Sequence, residues 1–194
     1  MTRQDVTSAV STALAAAAVV LQVLLVLVLV VAIAAIWSRG ARRVLAEARD
    51  SLLGGELWGA WAVAANATAG SLFFSEYAHF IPCHLCWLQR IGMYPLAVIL
   101  LIAAIRRDAR GGALYCLPPA VFGACVSIYH VYIEHHPSAQ TPGCKVGGTT
   151  CATEWIKKIG YITIPVLALT AFLTIITLLA MALSRTSSTR SPAT

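Results

Sequence analysis

Charge is scarce in this sequence. Of its 194 residues 11% are charged and 59% hydrophobic, and the mean hydropathy is +0.78. A soluble domain would carry about 25% charged residues, so composition argues against one. The charges also leave long gaps, with none in residues 6–38, 57–75, 91–105, 111–133 or 159–184. Glycine and proline are missing from the Val/Leu/Ala run 8–37, so nothing there interrupts a helix. A signal peptide has an apolar region of roughly 7–15 residues preceded by positive charge. Here the run is longer and Arg39, Arg42 and Arg43 follow it, which predicts an uncleaved anchor helix. No internal repeat is evident.

What is present is enough apolar chain for about five crossings. A helix needs roughly 20 apolar residues to traverse a bilayer core. Four of the gaps reach or approach that length, and the fifth, 91–105, is interrupted only by Arg90 when extended back to Tyr77. The expected fold is an all-α integral membrane protein. Its net charge of +6 is distributed as a topology signal rather than a nucleic-acid footprint. Arg39, Arg42, Arg43 and Arg49 follow the first span, Arg106, Arg107 and Arg110 the third, and Arg185 and Arg190 the last. Alternating spans put these clusters on one side, the cytoplasmic one by the positive-inside rule. The N-terminus and segments 76–90 and 134–158 then lie outside, with Cys83, Cys86, Cys144 and Cys151, where disulfides can form.

Local features refine this plan. Residues 38–56 form a charged, partly helical cytoplasmic linker. The second span, 57–79, is rich in small residues that permit close helix packing. Its Asn66-Ala-Thr68 sequon lies at membrane depth and is not a glycosylation site. Pro118-Pro119 predicts a kink in the fourth span. The fifth is expected to begin near Ile159 and contain Pro165, after a short interfacial helix in "CATEWIKKIG". The tail "SRTSSTRSPAT" is expected to be disordered.

Cys83-His84-Leu85-Cys86 places two thiols at a helix start, where the helix dipole favours the thiolate that attacks disulfides. A structural disulfide or half of a zinc site uses the same spacing. Arg90 lies four residues after Cys86 and seven after Cys83, which predicts one shared helix face. An arginine in hydrocarbon costs at least about 2.5 kcal/mol on insertion scales. It either snorkels to the headgroups or stabilises an anion formed beside the thiols. Cys144 and Cys151 flank a loop containing Gly147 and Gly148, which reads alone as a staple and beside the first pair as the mobile half of a relay. Cys116 and Cys125, nine apart on one helix, point to opposite faces and read as buried small hydrophobes. None of His79, His84, His130, His135 and His136 is a strong signal alone. His130 and His135, at the outer end of the fourth span, fit interface anchoring or proton donation.

Taken together, "PCHLCWLQRIGMYP", "SIYHVYIEHH" and "PGCKVGGTTCATEWIKKIGYITIP" resemble the disulfide bond formation protein B family, most closely its short-loop bacterial branch, often called BdbC. The resemblance covers roughly residues 57–184. It implies a four-helix transmembrane bundle, here with one additional N-terminal transmembrane helix. The division is 1–56 anchor and linker, 57–184 bundle and 185–194 tail. The implied activity is a thiol:quinone oxidoreductase of the bacterial cytoplasmic membrane. Such an enzyme reoxidises a thioredoxin-fold (DsbA-like) thiol oxidase and passes electrons to a quinone, menaquinone or ubiquinone. By resemblance, Cys83–Cys86 is the quinone-proximal disulfide with Cys86 facing the quinone, and Cys144–Cys151 is the pair that meets the partner through Cys144. Arg90 is the arginine beside the quinone, and His135 matches a quinone-side histidine. The sequence departs from better-known members in its short second loop, in Gln89 before the arginine and in the helix 8–37. Two other classes stay open: a structural membrane protein with two disulfides, and a small metal- or haem-binding membrane protein. A vitamin K epoxide reductase-like protein would place its pairs in the opposite order.

Overall fold

The computed structural model describes residues 2–52, 54–145 and 149–188. It contains α1 (Arg3–Trp37), α2 (Arg39–Ser51), α3 (Glu56–Leu72), α4 (His84–Arg106), α5 (Ala109–His135) and α6 (Ile164–Ser188). Among the described residues there is no β-strand beyond the single bridge Lys158–Ile162. Helices α1, α4, α5 and α6 are each long and apolar enough to cross a membrane. Helix α3 has 17 residues and continues into a five-residue π-helical turn, Phe73–Tyr77, which gives it a comparable reach. The chain is a helical membrane bundle.

Sequence explains where the elements start and stop. Thr2 and Asp5 form a capping box at α1, and Asp108 accepts the Gly111 N–H at the start of α5, satisfying donors that a helix N-terminus leaves free. Arg42 Nε and Nη2 donate to the Ala35 and Ile36 carbonyls, so a cation just beyond α1 caps its negative end. Helix α2, with four arginines and no buried residue, suits a membrane interface rather than a core.

The core runs along the inner faces of α3–α6. Gly112, Cys116, Ala120, Gly123, Ser127, His130 and Glu134 are all buried on α5, at the three- and four-residue intervals of one helical stripe. Its small residues bring partners close. Phe172 of α6 lies where a side chain on Gly123 would be, and a Cβ on Gly92 of α4 would stand 3.2 Å from the Pro119 carbonyl. Gln89 Nε2 donates to Ser127 Oγ at 3.0 Å inside the seam between α4 and α5.

Several expectations change. No interfacial helix forms in 151–163. Ile159 and Gly160 both take positive φ, and Lys158 and Ile162 exchange backbone hydrogen bonds of 2.9 and 2.8 Å. That turn uses the amide and carbonyl groups a helix would need. The last helix therefore begins at Ile164, and Pro165 sits in its first turn, where a missing N–H costs nothing. Helix α5 is continuous through Pro118 and Pro119. Cys116 is buried as expected, but Cys125 is exposed on the outer face, as the half-turn between them requires. Asn66 donates to the Ala62 carbonyl within α3. The expected disordered tail lies mostly outside the described residues.

Candidate active site

Cys83 occupies the N-cap of α4 after Pro82, with extended backbone, and its Sγ accepts the Cys86 N–H at 3.3 Å. The motif thus folds back on itself, bringing the two Sγ atoms to 3.0 Å; both thiols are free. Cys83 is buried and Cys86 partly so. The hydrogen bond from the Cys86 thiol holds Cys83 well below the ordinary thiol range, against desolvation, and His130 adds to the lowering. The attacking form is therefore present near neutrality.

His130, 2% exposed, reaches in from α5. Its Nε2 is 3.6 Å from Cys83 Sγ and 3.0 Å from the Cys151 carbonyl oxygen. A carbonyl only accepts, so this nitrogen carries the proton. The other nitrogen, Nδ1, is buried and has no hydrogen-bond partner among the described residues. His130 thus touches both cysteine pairs at once.

Cys144 and Cys151 form a disulfide, with Cα atoms 5.2 Å apart. Both are fully buried and pack in one apolar cluster with Cys83, Leu85 and Ile133. The loop expected to be mobile includes Gly147 and Gly148, which lie outside the described residues. Its two sulfurs are covered rather than presented to solvent.

Cys86 has a different outlook. With Arg90 it lines a cavity of about 430 Å³ whose walls are mainly apolar side chains of α1, α3, α4 and α6, interspersed with Asn66, Gln89 and Thr170. Trp155 stacks on Phe80 at 4.9 Å, and Phe80 on Phe74 at 5.8 Å, along its margin. Arg90 Nε and Nη2 donate to the Ser71 hydroxyl and carbonyl of α3 at 3.0 and 3.1 Å, and its guanidinium lies 5.1 Å from the centre of the Trp87 ring. Tyr94 donates to the same hydroxyl. Arg90 is tied to α3 rather than snorkelling away, and among the described residues it forms no salt bridge. A fixed cation beside Cys86 favours an anion there.

His135 stands apart from this arrangement. It is exposed, its Nδ1 is 2.9 Å from the Val131 carbonyl of its own helix, and it does not line the cavity. The histidine beside the cysteines is His130. Its sequence signal is its place on the buried stripe after Gly123 and Ser127, which His135 leaves by one residue. Glu134 also lies on that stripe, accepting a 2.7 Å hydrogen bond from Thr163. With Cys83, Cys86 and His130 it lines a cavity of about 10 Å³, room for roughly one water.

The ligand atoms of Cys83, Cys86 and His130 lie within 4.8 Å of one another and form a possible metal-binding group. The proton on His130 Nε2 opposes that use, because the nitrogen cannot both donate to Cys151 and bind a metal.

The sequence profile described as disulfide bond formation protein DsbB matches residues 56–183. The chain belongs to the DsbB family. It is 46% identical over 119 residues to the probable disulfide formation protein C 1 of Bacillus anthracis, covering 61% of this chain and 85% of that one. It is 48% identical over 120 residues to the disulfide bond formation protein C of Bacillus subtilis, covering 62% and 86%. A probable disulfide formation protein of Chlamydia pneumoniae is 41% identical over 125 residues, covering 64% and 89%. No solved structure matches the chain. A DsbB-family chain with this many spanning helices is a multi-pass membrane disulfide oxidoreductase.

Proposed function

We propose that this DsbB-family protein is a thiol:quinone oxidoreductase of the bacterial cytoplasmic membrane. It reoxidises an extracytoplasmic thioredoxin-fold (DsbA-like) oxidase through Cys144–Cys151 and passes the electrons through Cys83–Cys86 to menaquinone or ubiquinone. Residues 57–184 are its catalytic bundle, 1–56 its anchor and linker and 185–194 its tail. The observation that carries this reading is the asymmetry of the CxxC pair. Cys83 packs with the second disulfide and His130, whereas Cys86 opens onto an apolar cavity with a fixed arginine.

The cavity fits the proposed acceptor. Its volume lies within the roughly 300–1,000 Å³ of small-molecule sites, its walls are mainly apolar, and Arg90 offers charge to a ring oxygen. A quinone bound there supplies a sink for two electrons and two protons. Everything else falls to the chain. Reduced partner attacks the second disulfide, and its own disulfide leaves Cys144 and Cys151 as thiols. Cys151 thiolate then attacks Cys83 of an oxidised inner pair: the Cys83–Cys151 bond forms, the Cys83–Cys86 bond breaks, and the electron pair leaves on Cys86. Attack of Cys144 on Cys151 restores the outer disulfide and releases Cys83 as thiolate, which the His130 N–H stabilises by hydrogen bonding. Arg90 stabilises charge on the Cys86 side. Because both outer sulfurs are buried, engagement of a soluble partner requires Cys144 and Cys151 to become uncovered.

The test is reduction of a benzoquinone or naphthoquinone by purified protein with a reduced thioredoxin-fold oxidase as donor. Turnover should disappear in Cys86→Ser. Failure with both acceptors would point instead to structural disulfides, or to the metal reading if metal co-purifies with the Cys83–Cys86–His130 group.

A further inference from the structure

Helix α1 lies outside the stretch matched by the family profile, yet it is docked with some specificity. Along most of its length it is exposed, as at Val20, Leu24 and Ile36. Ser11, Ala15 and Ala18 are buried, at 1%, 1% and 5% exposure. Gln22 continues their stripe at four-, three- and four-residue steps along one face. Small residues let helix backbones approach closely where no hydrophobic force draws them together.

Polar contacts fix the register. Gln22 Nε2 donates to Thr170 of α6 at 2.9 Å, and its Oε1 accepts from Tyr161 at 2.7 Å, so both ends of one amide are satisfied outside its own helix. Nearer the N-terminus Lys158 Nζ donates to Ser8 Oγ at 3.2 Å. On the other side Leu14 covers Gly70 of α3, where an added Cβ would meet it at 3.3 Å. The helix therefore sits across the seam between α3 and α6. Leu14, Ala17, Ala18 and Leu21 form one wall of the cavity that Cys86 and Arg90 also line.

We infer that α1 is a built-in wall of the acceptor site, and that Leu14, Ala17 and Leu21 set which ring-and-tail shape can lie beside Cys86. Without α1 the seam would be a groove open to lipid along its length. With α1 in place the groove becomes a bounded slot for a flat apolar ring with oxygen acceptors and an apolar tail. The inference rests on the proposed quinone site and adds the residues that shape it.

The experiment is photolabelling of the full-length protein with an azidoquinone carrying a short prenyl tail, with the labelled peptides read by mass spectrometry. The expected result is label on the α1 peptide spanning residues 14–21 as well as on α3 or α4, displaced by excess unlabelled quinone. Ala17→Trp should remove α1 label and raise KM for quinone about tenfold, equivalent to ~1.4 kcal/mol of binding. Val23→Trp, on the exposed face opposite Leu14, should change neither. Gln22→Leu, a milder change that keeps α1 apolar, should lower α1 label relative to α4 label. Competed label on α3 or α4 with none on α1 would overturn the inference and leave the quinone reading standing. No competed label anywhere would overturn both. Equal effects of Ala17→Trp and Val23→Trp would also defeat it, since a wall has an inner and an outer face.

Discussion

Cys83 and Cys86 carry the same functional group in different surroundings, and single-residue changes should separate them. Cys83 is held low chiefly by the thiol proton of Cys86. A lowered pKa means that thiolate persists as pH falls, so reduced Cys83 should still alkylate near pH 6.5. An ordinary thiol, with a pKa of about 8.5, loses tenfold in rate per unit below it. Cys86→Ser retains a donor and should preserve this reactivity while abolishing quinone reduction; Cys86→Ala should lose both. His130→Ala removes an N–H worth about 1 kcal/mol, so the pH profile of Cys83 alkylation should lose about 0.7 pH of its downward displacement. His130→Gln, which can place an N–H near the same point, should restore part of it. If alanine and glutamine behave alike, the hydrogen bond to Cys83 is not what His130 contributes. Arg90→Ala should weaken quinone affinity or rate while all four extramembrane cysteines remain oxidisable, whereas Cys116→Ala and Cys125→Ala should leave turnover intact. The cysteines and Arg90 were legible in the sequence because their relation is local, four to seven residues along one chain. His130 was not, because contacts with Cys83 and Cys151 distinguish it from His135, and those form only when α5 packs beside α4 and the second loop.

At the scale of elements, helices are tuned by the residues they omit. Gly123 leaves the space that the Phe172 ring occupies between α5 and α6. Gly123→Ala should force that ring aside and destabilise the bundle by about 1–3 kcal/mol, the usual cost of overpacking a close-packed core. Thermal unfolding of detergent-solubilised protein, followed by far-ultraviolet circular dichroism, would register it; an unchanged midpoint would mean that the ring rotates away freely. The spans were readable because each is a long uncharged run. The turn at Lys158–Ile162 was not, because "EWIKKIG" carries helical apolar spacing and only the positive φ of Ile159 and Gly160 redirects it. The same limit applied to the start of α6: Pro165 fits either a helix interior or a first turn, and the turn ahead of it decides.

For the whole molecule, the arrangement depends on which end of the bundle faces which compartment. Both cysteine pairs, the start of α1 and the Lys158 turn gather at one end, tied by the contacts Lys158–Ser8 and His130–Cys151. At the other end lie α2, with Arg39, Arg42, Arg43 and Arg49, and the α4–α5 turn, with Arg106, Arg107 and Arg110. This polarity was visible in the sequence because it is a sum over many residues and survives errors in any one boundary. The positive-inside rule assigns the arginine-rich end to the cytoplasm, which would leave the thiols where an oxidised partner can persist. A cysteine introduced at Glu47, exposed on α2, should react with an impermeant maleimide only after permeabilisation. One at Gln4, exposed at the start of α1, should react in intact spheroplasts. The inverted pattern would place the cysteine pairs in the reducing compartment, where glutathione would compete with any membrane acceptor for their electrons. A relay with one end in water and the other in lipid is useful only if its water-facing pair stays oxidised between encounters, so the orientation of this bundle sets the direction in which it can work.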